Sequence, residues 1–252
     1  MFPYFHFMGK TVGMYGLFVV IGVWLTALLS IRYYKKIGQP SEDIYIVGAC
    51  CIGFAMIFGN LLYIVVTYPF SYILSQIRQW NFSFLGSGIV FYGGLIGGIG
   101  GALLGARVAK CRWDLLVEAV VPFVPLGHAF GRVGCLLAGC CHGIEYNGPF
   151  AIYYSNSLLG VSPTQGYFPV QPLEAIANMA ICMILVRLRK CNEGRKYLLL
   201  WYLSIYALVR FGLEFLRGDL NRGIYFGLSL SQWISLCLFF IGVLGICIKK
   251  EI

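Results

Sequence analysis

Charge is scarce in this sequence. Only 12% of its 252 residues are Asp, Glu, Lys or Arg, about half the share found in a soluble domain. With 59% hydrophobic residues and a mean hydropathy of +0.79, that shortage excludes an ordinary water-soluble enzyme. Acidic residues are scarcer still, 10 against 19 basic ones. In a soluble protein the resulting charge of +9 would point to nucleic acid. Here the basic residues sit in short loops between apolar runs, where they set topology, so no nucleic-acid partner is expected. The N-terminus lacks a basic region followed by a short apolar core and a small-residue cleavage site, and no removable signal peptide is expected. Linkers, low-complexity tracts and clear internal repeats are also missing. A single membrane domain over residues 1–252 is expected.

What is present is a series of long apolar stretches. Seven spans, each near the roughly 20 residues a bilayer requires, are expected at about 13–32, 44–67, 83–105, 115–137, 170–188, 197–217 and 228–248. The fold class is thus an all-α polytopic membrane protein. In the third span, Gly93 with Gly97 and Gly94 with Gly98 stand four apart, a spacing that lets another helix backbone come close. Arg32, Lys35, Lys36, Arg107, Lys110, Arg112, Arg187, Arg189, Lys190, Arg195, Lys196, Lys249 and Lys250 fall on one side, 13 of the 19 basic residues. The other side has Lys10, Arg78 and Arg222, and its long loop 138–169 has no Lys or Arg. This imbalance predicts an outside N-terminus and a cytoplasmic C-terminus.

Three arginines break the pattern, and all three belong to the outer half of the membrane. Arg132 ends the fourth span in "GRVGCLLAGCCHG" (131–143), and Arg210 and Arg217 lie in "RFGLEFLRGD" (210–219). A charge inside a span costs at least about 2.5–3.5 kcal/mol and usually faces a bundle interior with a function. Arg210 and Arg217 are seven apart, expected on one helix face with Glu214 between them. Glu118 and Glu174 stand near spans four and five. Pairing of the arginines with Glu214 alone would lock helices, but three arginines against one nearby glutamate leave a surplus. Guanidinium forks match phosphate oxygens, so a cavity for an anionic phospholipid headgroup, open sideways to lipid, is expected.

Five segments occur in order: "YGL" (15–17), "FYGGLIGG" (91–98), "GRVGCLLAGCCHG", "QPLEA" (171–175) and "RFGLEFLRGD". Together they resemble the prolipoprotein diacylglyceryl transferase family over nearly the whole chain. The resemblance implies a seven-span enzyme of the cytoplasmic (inner) membrane. It implies transfer of a diacylglyceryl group from phosphatidylglycerol to the lipobox cysteine of a lipoprotein precursor. No cofactor or metal is expected, since the spacing C-x4-C-C-H of the cysteine segment lacks a recognised pair of ligand dipeptides. The resemblance implies that Arg132 and Arg210 are the two motif arginines, that Glu214 and Arg217 complete the second motif, and that Tyr15 is the tyrosine of the first span. The family histidine of His-Gly-Gly-Leu-Ile-Gly is replaced by Tyr92, the asparagine after Gly-Arg-x-Gly by Cys135, and Asn-Gly-Glu by Ala138-Gly139-Cys140.

The chemistry requires a thiolate to attack the glyceryl carbon and expel an anionic phosphate. Arginines in a dry site stabilise the charge that develops on the leaving group. A general base must take the thiol proton. His142, just past the helix end, and His128, one turn before Arg132, are the candidates. Tyr92 offers a phenol, a poor base but a good donor to a phosphate or ester oxygen. Cys135, Cys140 and Cys141 cluster at the outer face. Packing is the first reading for them; a disulfide such as Cys135–Cys140, a zinc site and a covalent diacylglyceryl-cysteine are the alternatives. The rival functions are a non-catalytic or differently specific phospholipid-binding protein on the same scaffold, and a secondary transporter. The transporter is disfavoured because no pair of spans shows matched interruptions.

Overall fold

A computed structural model describes residues 3–7, 9–86, 88–155, 162–218 and 223–250. Residues 156–161 and Arg222, read above as parts of outer loops, and Asp219 of the second arginine motif lie outside them. The order is β1 (Tyr4–Phe7), β2 (Lys10–Gly13), α1 (Met14–Lys36), α2 (Ser41–Thr67), α3 (Phe70–Arg78), α4 (Phe91–Val108) and α5 (Trp113–Val120). A 3₁₀ turn (Val121–Phe123) leads into α6 (Val124–Ala138), then β3 (Ile152–Tyr153), β4 (Gly166–Tyr167), α7 (Val170–Leu188), α8 (Asn192–Lys196) and α9 (Leu198–Glu214). The chain closes with β5 (Ile224–Tyr225), β6 (Leu228–Ser229) and α10 (Leu230–Lys250). The strands form three separate two-stranded antiparallel hairpins, short adornments on an all-α polytopic membrane fold.

Among the described residues, six helical stretches are long and apolar enough to cross a bilayer: Met14–Lys36, Ser41–Thr67, Phe91–Val108, Trp113–Ala138, Val170–Leu188 and Leu230–Ile248. The sixth expected span is α9, which has 17 residues. Burial is inverted relative to a soluble protein. Trp24, Met56 and Ile176 are exposed, whereas Gln171, Glu174, Asn178, Ser204, Glu214 and Gln232 are buried. Lipid tails are as apolar as leucine, so polar side chains turn inward, where other polar groups can satisfy them.

The sequence expectation for the third span needs correcting at its start, which falls at Phe91 rather than residue 83. Asn81 Oδ1 accepts a hydrogen bond from the Ser83 backbone N–H, and Gly86 adopts φ +81°; both turn the chain before a helix can form. The fourth span is interrupted by the 3₁₀ turn containing Pro122, whose ring nitrogen cannot donate in a helical ladder.

The chain packs as two compact units, Met1–Ser30 with Val117–Ile252, and Ile31–Leu116. In the second unit, α2 and α4 pack through glycines. A Cβ added at Gly93 would lie 2.5 Å from the Phe58 carbonyl oxygen, and one at Gly105 would lie 2.7 Å from Val47 Cα. Gly97 and Gly101 press on the carbonyls of Phe54 and Cys50. The close approach expected of Gly93 and Gly97 is thus present, and it runs two further turns along α4. The Tyr34 hydroxyl donates to Asp43 Oδ2 at 3.0 Å, near the acidic start of α2.

The first unit holds the polar interior. The start of α1 lies on α6 through small residues. A Cβ at Gly22 would meet the Gly127 carbonyl oxygen at 2.8 Å, and one at Gly134 would meet Tyr15 Cα and Phe18 Cβ at 3.2 Å. The Thr26 hydroxyl donates to the Phe123 carbonyl at 3.1 Å. An apolar cluster of Ile181, Leu185 and Leu198, flanked by Trp201 and Ile205, joins α7 to α9.

Candidate active site

Helix α6 presents His128, Arg132 and Cys135 at i, i+4 and i+7, which is one face of a helix. Helix α7 answers with Gln171, Glu174 and Asn178, all nearly inaccessible. Arg132 Nε lies 3.0 Å from Glu174 Oε1. This pairing corrects the charge count from sequence, because a second carboxylate, 42 positions away in the chain, reaches the arginines. Glu118 does not join them. It is buried with Arg195 Nη1 4.0 Å away, and its carbonyl accepts from Arg189 Nη1 at 3.4 Å, among the loop arginines assigned to the opposite side.

Arg210, on α9, places Nη2 2.8 Å from Glu214 Oε2 one turn later, as the i,i+4 spacing predicted. The Ser229 hydroxyl donates to Glu214 Oε1 at 2.9 Å. Ser229 is also the first half of a reciprocal cap on α10: its hydroxyl accepts the Gln232 N–H at 3.2 Å, and Gln232 Oε1 accepts the Ser229 N–H at 2.9 Å. This is the S-x-x-Q capping pattern, with one hydroxyl serving both helix and carboxylate. Sequence reasoning missed Ser229, although the "SLSQ" run (229–232) before an apolar helix could have signalled it. The Arg210 Nη1 atom is buried and has no hydrogen-bond partner among the described residues.

Arg217 departs from expectation. It is not on the same helix face as Arg210, because α9 ends at Glu214. The chain then pairs across to the segment after α6: Arg217 forms an antiparallel bridge with Gly143, Ile144 N–H donates to the Leu216 carbonyl at 3.0 Å, and Gly218 N–H to the His142 carbonyl at 3.1 Å. These cross-strand bonds outcompete a further turn of helix and bring Arg217 to the cysteine-bearing segment.

Helix α6 stops at Gly139, whose φ of +70° suits a left-handed cap. The Cys140 N–H returns to the Cys135 carbonyl at 3.1 Å. Cys141 also has a positive φ, +56°, uncommon for a side-chain-bearing residue. The reversal gathers Cys135, Cys140 and Cys141, whose Sγ atoms lie within 4.8 Å of one another. All three are free thiols, so the Cys135–Cys140 disulfide is not formed. Hydrogen bonds from Cys135 and Cys140, then the guanidiniums of Arg217 and Arg132, hold the Cys141 thiol well below its ordinary range against the effect of burial.

Gln171 anchors this turn, donating Nε2 to the Cys140 carbonyl at 2.9 Å while its Oε1 accepts from the Tyr154 hydroxyl at 3.1 Å. Burial pushes the Tyr154 phenol up to about 12. The His142 ring packs on Tyr167 with centroids 4.7 Å apart, and its Nδ1 lies 3.0 Å from the Gly143 carbonyl oxygen. His128 faces Tyr206 with centroids 5.4 Å apart. Tyr15 begins α1 with its backbone against Gly134. Arg132, Arg210, Glu214, Arg217, His128, His142 and Tyr15 therefore all belong to the unit containing α6, α7 and α9. Tyr92 belongs to the Ile31–Leu116 unit, half-exposed in the first turn of α4 beside the Phe91 ring at 5.7 Å.

A buried arginine with one carboxylate still has donors to offer, and planar, bidentate recognition of phosphate is what a guanidinium fork does well. Comparison with known proteins points the same way. The sequence model described as "Prolipoprotein diacylglyceryl transferase" matches residues 3–248. A phosphatidylglycerol-prolipoprotein diacylglyceryl transferase of Clostridium tetani is 32% identical over 241 residues, covering 95% of this chain and 94% of the relative. One named with the suffix 2, from Clostridium perfringens, is 30% identical over 244 residues, covering 96% and 93%. One from Clostridioides difficile is 29% identical over 242 residues, covering 96% and 90%. The chain belongs to the prolipoprotein diacylglyceryl transferase family.

Proposed function

We propose that this protein transfers a diacylglyceryl group from phosphatidylglycerol to the cysteine thiol of a lipoprotein precursor, forming a thioether. The observation that carries this reading is the polar centre around Arg210. That side chain is held by Glu214 at 2.8 Å, yet keeps a buried cationic donor, Nη1, without a hydrogen-bond partner among the described residues. Buried donors are satisfied in nearly all native proteins, and an anionic headgroup supplies the missing acceptor. Arg132 and Arg210 bind the phosphate and stabilise the charge it gains on leaving. Glu174 and Glu214 hold these arginines in place, and Arg217 and Tyr15 bind substrate at the rim.

His142 takes the proton of the acceptor thiol, with His128 as second candidate. Tyr92 stands at the position where the family has histidine, and its phenol is suited to donating to a phosphate or ester oxygen. The scaffold has seven spans forming a single domain in the bacterial cytoplasmic membrane, with α9 as the sixth. Its N-terminus lies outside and its C-terminus in the cytoplasm, following the excess of basic residues on one side. The acyl chains stay in the bilayer throughout the reaction.

The test is turnover in proteoliposomes with phosphatidylglycerol labelled in its diacylglycerol moiety and a peptide carrying a lipobox cysteine. Label should appear on the peptide in a thioether, with glycerol phosphate released. Binding of the lipid without label transfer would favour the rival reading, a phospholipid-binding protein on the same scaffold.

A further inference from the structure

The three thiols at the end of α6 ask for a ligand. Their sulfurs lie within 4.8 Å of one another, brought together by a left-handed Gly139 and a second positive φ at Cys141. A non-glycine residue in that region costs on the order of 1 kcal/mol or more and persists where the surroundings enforce it. The Gln171 amide pins the turn through the Cys140 carbonyl. Packing alone does not require three polarisable sulfurs to share one point beside two arginines.

We propose that Cys135, Cys140 and Cys141 bind a zinc ion as three thiolates, leaving a fourth position at which the acceptor thiol is coordinated and alkylated. Zinc–sulfur bonds of about 2.3 Å place tetrahedral sulfurs roughly 3.8 Å apart, so the cluster closes by about 1 Å at most. Three protein ligands with one open position are the pattern of catalytic rather than structural zinc. A zinc tris-thiolate carries one net negative charge. Arg132, one turn before Cys135 on the same helix, and Arg217, bridged to Gly143 two residues past Cys141, supply positive charge that compensates it. The sequence reading expected no metal, because C-x4-C-C lacks paired ligand dipeptides. What sequence spacing could not convey is the chain reversal that closes the three sulfurs together.

This inference rests on the transferase reading and supplies what that reading lacks, a strong means of making thiolate in a chain with Tyr92 at the family histidine position. A thiol bound to zinc is deprotonated outright, and the thiolate is the nucleophile. The acceptor S–H bond breaks on coordination, and its proton passes to His142, the base of the transferase reading, and on to water. A sulfur lone pair then forms the S–C bond to the glyceryl carbon while the C–O bond to phosphate breaks. That bonding pair departs with glycerol phosphate, and the neutral thioether, a poorer ligand, leaves the zinc. No electrons are gained or lost by the metal.

The full chain, purified in detergent as wild type, Cys135→Ser, Cys140→Ser, Cys141→Ser and the distant Cys237→Ser, is to be assayed for zinc by mass spectrometry. About one zinc per chain is expected in wild type and Cys237→Ser, and less than a tenth of that in the three cluster variants. Since a cluster variant that misfolds also loses metal, a second measurement uses the wild type alone. With Co2+ exchanged for zinc, thiolate-to-cobalt charge-transfer bands should shift on adding lipobox peptide and stay unchanged with its Cys→Ser analogue. Chelation should slow turnover by about tenfold or more, reversibly, since a free thiol with a pKa near 8.5 is only a few per cent thiolate at neutral pH. A zinc-free wild type that transfers label at full rate overturns the zinc site and leaves the transferase reading standing. A cobalt spectrum indifferent to the peptide thiol overturns coordination of the acceptor. A responsive spectrum with no transfer from labelled phosphatidylglycerol counts against the transferase reading and, with it, the alkylation role.

Discussion

Arg132 and Arg210 each sit against a single carboxylate, Glu174 at 3.0 Å and Glu214 at 2.8 Å, and such a pair neutralises charge without using every donor. Replacing either arginine by alanine removes the proposed phosphate contact and leaves a buried carboxylate unpaired. Both variants are expected to insert and to lose transfer, with kcat/KM falling at least about 10²-fold in the labelled-lipid assay. Lysine restores the charge and not the planar fork, so Arg132→Lys should recover only a small part of the loss; near-normal turnover in that variant would sink the fork role. A second prediction separates the histidines. The His142 ring stands on Tyr167 in the segment that pairs with Arg217, whereas His128 packs on Tyr206 inside the bundle. His142→Gln should slow turnover by roughly 10²-fold and His128→Gln much less; equal, wild-type rates in both would remove both as bases. These residues were legible because a charge or a titratable group in an apolar span stands out. Their partners were not, since nothing in one sequence links Glu174 to Arg132 or Gln171 to the Cys140 carbonyl. Arg217 was misplaced because its conformation is set by a bridge to Gly143, a tertiary contact that overrides helical spacing.

Helix α4 was readable in part for a related reason. Glycines at spacing four announce close packing, and Gly93 and Gly97 do face α2. The continuation through Gly101 and Gly105 needed the register of the partner helix. The late start of α4 came from turn chemistry at Asn81 and Gly86, hidden inside a stretch of apolar residues. The stripe carries a prediction. Gly97→Leu drives a branched side chain into the Phe54 backbone of α2, where neither helix can move without losing its other contacts. Overpacking of this kind costs about 1–3 kcal/mol or more, and the variant should unfold at lower temperature in detergent. Gly100, on the same helix, has nothing within 4 Å of an added Cβ, so Gly100→Leu should leave the transition unchanged. If the two variants unfold alike, the glycine stripe is not what joins α2 to α4.

At the scale of the whole molecule, the distribution of charge makes a statement about direction that no single helix makes. The segments after the first, third and fifth expected spans carry Arg32, Lys35, Lys36, Arg107, Lys110, Arg112, Arg187, Arg189, Lys190, Arg195 and Lys196. In the structure Lys35 and Lys36 close α1, Arg107 closes α4, and Arg195 and Lys196 close the short α8, so these cations gather at helix ends, where carbonyl dipoles also favour them. Each basic residue near an anionic cytoplasmic leaflet contributes roughly 1 kcal/mol, so an inverted insertion would forfeit most of that from all of these residues together. In the proposed orientation the α6 C-terminus, with Arg132 behind it and the three cysteines beyond, opens outside, on the side of a secreted precursor. The check uses a background in which the ten native cysteines are serine, with one cysteine restored at a time. Cysteine in place of Lys36 or Lys190 should stay unlabelled by a membrane-impermeant maleimide in intact cells and react after permeabilisation. Cysteine in place of Thr164, exposed in the long loop that lacks Lys and Arg, should react in intact cells. Labelling of the Lys36 or Lys190 position from outside would reverse the orientation. The polar centre would then face the cytoplasm, and the acceptor would have to be a thiol that never crosses the membrane.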